Sequence, residues 1–108
     1  MSDDALHVTN LCHRIARLVD SADLAELEPL MTADIGWSMT GARWQGRAQV
    51  LAGLAQMRSQ GHAGPDAGTR HVITNLEVGV DGDRAVVRSY FQLLSGGRPA
   101  QVLVVGAY

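Results

Sequence analysis

The 108-residue sequence is the size of one domain with one core, and leaves no room for two. Its residues are 46% hydrophobic and 19% charged, the balance of a chain that folds around a core rather than a disordered one. Nine basic against eleven acidic residues give a net charge of −2 with no Lys/Arg stripe, which argues against nucleic acid as a partner. No apolar run reaches the ~20 residues of a membrane span. The start, Met1-Ser2-Asp3-Asp4, is acidic where a secretory leader is basic and then apolar, so a cytoplasmic location is expected.

Along the chain, Val8, Leu11, Cys12, Ile15, Leu18 and Val19 are spaced three and four apart, which predicts a first helix. Cys12, the single cysteine, has no partner for an internal disulfide and reads as a buried thiol in that stripe. Asp20-Ser21-Ala22-Asp23 interrupts the pattern. Asp23 followed three residues later by Glu26 has capping-box spacing and predicts a second helix, with Leu24, Leu27, Leu30 and Met31 on its buried face and Pro29 limiting or bending it. Ile35, Trp37 and Met39 alternate with Gly36, Ser38 and Thr40 as a short half-buried strand does. Residues 41–46 read as a turn or short hairpin carrying Trp44, and Val50, Leu51, Leu54 and Met57 mark a third helix from about Arg47 to Gln60.

Residues 61–68 have loop composition. Beyond them, Val72 to Val80 and Arg84 to Leu94 are strand-like runs joined at Asp81-Gly82-Asp83, a hairpin signal that predicts antiparallel pairing. Gly96-Gly97-Arg98-Pro99 makes the next turn, and Gln101 to Tyr108 is a nearly all-apolar third strand. Helices first and a meander last is an α+β pattern, with helices gathered on one face of an antiparallel sheet. The expected core comprises Val8, Leu11, Ile15, Leu18, Leu27, Leu54, Val87 and Phe91.

That order of elements resembles the cone-shaped nuclear transport factor 2-like fold, three helices on a curved antiparallel sheet, which also houses ketosteroid isomerase and scytalone dehydratase. Arg70-His71-Val72-Ile73-Thr74-Asn75-Leu76, then Asp81-Gly82-Asp83-Arg84-Ala85 and Arg88-Ser89-Tyr90, is similar to the central signature of SnoaL-like domains. Asp20-Ser21-Ala22-Asp23 with Leu27 and Leu30, then Asp34, Trp37 and Gly46-Arg47, is similar to their first half. The likeness spans nearly the whole chain, which is read as a single domain over residues 1–108. Two departures stand out. Where many members carry a tyrosine in helix one, this chain has Ile15, so a dehydratase reading lacks its proton donor. Members usually continue past the position of Tyr108 to a last strand with a Gly-Trp pair, so the sheet is expected to lack an edge.

Strand parity gives the candidate site. His71, Ile73 and Asn75 share one face of the first long strand, with Val72, Thr74, Leu76 and Val78 on the other. On the second, Ala85, Val87, Ser89, Phe91 and Leu93 form an apolar face broken only by Ser89, and Arg88, Tyr90 and Gln92 a polar one. The first set suits a concave pocket for a small hydrophobic molecule, with Trp37, Asn75, Ser89 and Phe91 as ligand contacts. His71 is the candidate general base, because histidine alone ordinarily titrates near neutrality; the blander alternative is a hydrogen bond to the preceding loop. Asp20 is the candidate orienting carboxylate. At a helix C-terminus it meets the negative end of the dipole and gains nothing there, unless it caps the next turn.

Asp23 reads as a cap, and Trp37 and Trp44 read either as ligand stackers or as packing. Ser89 lacks a nucleophile-elbow context. His7, His13 and His62 have no partners at zinc-ligand spacing, and none of the glycine turns resembles a phosphate loop, so neither metal nor cofactor is expected. The resemblance then leaves three functions open. One is a cofactor-free isomerase, cyclase, lyase, dehydratase or hydrolase using His71 with Asp20; another is a non-catalytic binding module. The third is a structural subunit like the β subunit of ring-hydroxylating dioxygenases. A homodimer across the convex sheet face is expected, because the last strand is apolar on both sides.

Overall fold

The computed structural model describes residues 3–96 and 101–108. The first two residues of the acidic start and most of the turn expected at Gly96-Gly97-Arg98-Pro99 lie outside the described residues. Helix α1 spans Asp4–Ser21, the hairpin β1 and β2 spans Gly36–Met39 and Ala42–Gln45, and helix α2 spans Arg47–Ser59. The meander follows as β3 at Thr69–Asp81, β4 at Arg84–Ser95 and β5 at Val102–Ala107, in the order β3-β4-β5 with both pairings antiparallel. This is the expected α+β class, with the two-stranded hairpin as a separate small sheet. No helix among the described residues is long and apolar enough to cross a membrane.

The second helical segment is built as two consecutive 3-10 turns, Leu24–Glu26 and Glu28–Leu30. Pro29 sits in the first positions of the second turn, where its missing N–H is harmless but a continuous α-helix through it would lose a ladder bond. Asp23 makes no side-chain capping bond, so the capping-box spacing is not used. What the two turns achieve is the complete burial of Leu27, which joins Val19, Met31, Val50 and Leu54 in the core.

That core lies under the last turns of α1. Ile15 and Leu18 pack against it in part, and Val8 and Leu11 lie outside the cluster. Leu11 is 39% exposed, correcting its place in the expected core. The stripe of spacings is real, but only its C-terminal half meets a second layer. Val87 and Phe91 are half-buried because they face a hollow rather than a packed interior.

Trp37 and Trp44 are directly paired across the β1–β2 hairpin, which turns at Gly41 with φ 83°. Trp44 lies flat on α2 at Gly53, where a Cβ would come within 2.2 Å of the indole Cε2. Its role is therefore to pack hairpin against helix, which is why the small residue is needed in mid-helix despite its cost in propensity.

Across β3 and β4 the pairing runs His71↔Leu93, Ile73↔Phe91 and Thr74↔Tyr90, then shifts to resume at Glu77↔Arg88 and Val78↔Val87. The irregularity is a β-bulge centred on Asn75, whose φ of 54° lies in the left-handed region that asparagine tolerates better than most residues. Because two residues there oppose one, parity inverts beyond it. Val78, expected on the outer face, is in register with Val87 on the concave face.

Candidate functional site

Asp20 is the penultimate residue of α1 and is only 4% exposed. Its Oδ1 lies 2.6 Å from Nδ1 of His71, and its Oδ2 accepts the His71 backbone N–H at 2.8 Å. One carboxylate thus holds both the ring and the backbone of the same residue, tying the end of α1 to the start of β3. With Asp20 ionised its carboxylate can only accept, and the proton of that ring contact then belongs to Nδ1 of His71. Nε2 is left without a hydrogen-bond partner among the described residues.

The histidine side chain, 14% exposed, stands in the wall between two lobes of a cleft, of about 520 and 480 Å³. Both lobes are bounded by Val19, Trp37, Ser38, His71, Ala107 and Tyr108. The first extends over Leu54, Met57, Arg58, His62 and Phe91; the second extends over Cys12, Ile15, Ile73, Val87 and Ser89. Few polar groups on a mostly apolar lining is the character of small-molecule sites.

Of the residues singled out by strand parity and pattern, His71 and Asp20 are brought together, Trp37 borders both lobes, and Ser89, 6% exposed, borders the second. Phe91 lines the first lobe with its ring centroid 5.9 Å from that of His71. Asn75 is the correction. The bulge removes it from the alternation, it is exposed, and it borders neither lobe, so it does not share the site with His71. Burial raises the Cys12 thiol above its ordinary range, which keeps it in the unreactive protonated form. Among the described residues no group of three or more His, Cys, Asp and Glu side chains is placed to hold a metal.

Tyr108 was missed by reading the sequence. It follows β5, its N–H bonds the Ser89 carbonyl at 2.9 Å, and its ring stacks on Phe91 at 4.6 Å with 25° between the planes. The Phe91 ring in turn lies across Gly106, where a Cβ would meet its Cε1 at 2.4 Å. Desolvation, and after it the charge of Asp20, pushes the Tyr108 phenol up from its ordinary value. It therefore stays protonated through the neutral range and offers the cleft an O–H donor. The signal was present as the alternation Val104, Gly106, Tyr108, but it becomes readable only once Gly106 is known to face Phe91.

Compared with known proteins, the chain matches a family model described as SnoaL-like domain over residues 1–108. No curated protein and no solved structure gave a significant match.

Proposed function

The chain belongs to the SnoaL-like domain family of the nuclear transport factor 2-like superfamily, and from that premise we propose that it binds a small hydrophobic molecule in the cleft and moves a proton on it without a cofactor. The observation that carries this reading is the Asp20–His71 pair, with Nδ1 engaged at 2.6 Å and Nε2 left free in the cleft wall. In this reading Nε2 takes a proton from an acidic C–H or O–H of the bound molecule. The imidazolium is stabilised through Nδ1 by the Asp20 carboxylate, and the same proton returns at another atom or leaves with a displaced group. The Tyr108 phenol hydrogen-bonds the oxygen on which negative charge develops, the place left open by Ile15 in helix α1. Isomerase, cyclase and lyase chemistry need no more than this.

A binding module without chemistry is the second reading, favoured by the structural work the pair already does in tying α1 to β3. Both readings require a ligand. Flat hydrophobic alcohols and ketones such as 2-naphthol and 2-tetralone serve as probes in a thermal-unfolding screen. A probe at a hundred times its Kd stabilises by about 2.7 kcal/mol and is expected to raise the melting temperature by roughly 10 °C. Trp37→Ala is expected to remove most of that rise. A panel that moves nothing contradicts the pocket.

The homodimer is also part of this proposal. The convex face carries Val72, Val86, Tyr90 and Val105, exposed by 37, 64, 56 and 68%, and a second copy of the chain presents the same apolar surface in return. Sedimentation is expected to give a dimer at micromolar concentration and a monomer for Val105→Glu. A monomer in the parent protein at high concentration contradicts it.

A further inference from the structure

Helix α1 ends with an electrostatic problem. Its last turn has no basic residue of its own, and it places the buried Asp20 carboxylate where the unpaired carbonyls already make the helix end negative. The compensation comes from α2. Arg58 donates from Nη1 to the Ala22 carbonyl at 2.6 Å, and from Nη2 to those of Val19 and Leu18 at 3.0 and 3.2 Å. These three acceptors bracket Asp20 in sequence, so the planar guanidinium fixes the turn from which the carboxylate projects.

The loop after α2 is shaped around this side chain. Gly64 is buried with φ 101°, and a Cβ there would lie 2.8 Å from Arg58 Cγ and 2.9 Å from Cδ and Nε. The loop backbone therefore closes directly on the arginine stem. Nothing in that loop suggested this from the sequence, since the partners are backbone carbonyls 36 to 40 residues away.

We infer that Arg58 is a positioning residue for the Asp20–His71 pair, holding the α1 C-terminus so that the carboxylate meets Nδ1 and Nε2 stays bare toward the cleft. The inference rests on the reading that this pair is the working base, but its test needs neither ligand nor turnover. A purely structural Arg58 contributes to stability and leaves His71 alone; a positioning Arg58 also sets which ring nitrogen carries the proton.

The experiment is nitrogen-15 NMR of the His71 ring in the ligand-free protein at a pH where the ring is neutral. The parent is expected to show one tautomer, protonated at Nδ1. Arg58→Met is expected to lose that purity and show both tautomers in comparable amounts. Arg58→Lys keeps the cation and the ability to donate, but a single ammonium does not span three carbonyls, so an intermediate mixture is expected. The parent pattern retained in folded Arg58→Met overturns the inference. If that variant does not fold, the parent pattern in folded Arg58→Lys overturns it. A failed search for ligands or turnover, by contrast, counts against the catalytic reading and not against this one.

Discussion

Asp20→Asn is expected to abolish proton transfer while leaving most of the fold intact, with a rate loss of about 10²–10⁴. The side chain keeps its shape but exchanges one acceptor for an NH₂ donor. Two donors of His71, the backbone N–H and Nδ1–H, face the two carboxylate oxygens in the parent protein. An amide satisfies the backbone N–H with its oxygen and must then offer its NH₂ to Nδ1. The ring responds by moving its proton to Nε2, the atom that has to be bare to act as a base. The stability cost is expected to be about 1–2 kcal/mol, because a charged acceptor is lost but both contacts survive.

Asp20→Ala removes the contacts altogether, leaves a buried N–H unpaired, and is expected to cost about 3 kcal/mol. Denaturant unfolding checks both figures, and the ring nitrogen spectrum checks the tautomer. Retained activity in Asp20→Asn contradicts the assignment. His71→Gln is a less clean test than Asp20→Asn. The ring is the partner of a buried carboxylate, so its replacement disturbs stability as well as chemistry.

Leu27→Ala is expected to be the most destabilising single truncation of an aliphatic side chain, by about 3 kcal/mol, within the usual 2–5 for a buried leucine. Leu27 is fully buried at the junction of the two 3-10 turns and packs with Val19, Met31, Val50 and Leu54. Those turns have few backbone bonds of their own, so the space left behind is lined by residues that hold their place through this contact. Leu11→Ala serves as the contrast, with an expected cost below about 1 kcal/mol at a site 39% exposed. Equal midpoints for the two variants under chemical denaturation contradict this assignment of the core.

The contrast between Leu11 and Leu27 also marks what was legible in the sequence. Local periodicity located α1, α2 and the three strands of the meander, because apolar spacing and the Asp81-Gly82 turn are short-range signals, although α1 begins at Asp4, ahead of Val8, and β3 at Thr69, ahead of Val72. It did not specify which part of an apolar stripe meets a second layer, since that depends on where the other elements end. In the same way, alternation placed His71 and Ile73 correctly relative to Phe91 and Leu93 but failed beyond Thr74. A bulge changes parity without changing composition. The one clue was an asparagine in mid-strand, a residue at ease in the left-handed region.

Asp20 and His71 were each legible as candidates, from an unfavourable place on the helix dipole and from a position on the pocket face. Their bidentate contact was not, since nothing in a sequence fixes a distance across 51 residues. Arg58 and Tyr108 were illegible for a related reason. One acts through backbone carbonyls of another helix, and the other through the register of a third strand on the second.

Whether Nε2 of His71 is a base inside an apolar cleft can be tested with 5-nitrobenzisoxazole, without knowledge of the natural ligand. This flat hydrophobic molecule needs one event: a base takes the proton from its C3 carbon, the ring N–O bond breaks, and a coloured cyanonitrophenolate is released while the proton stays on the base. Saturable release well above that of free imidazole at the same concentration is expected, and its loss in folded Asp20→Asn and His71→Gln. Release no faster than free imidazole, or unchanged in His71→Gln, would contradict it.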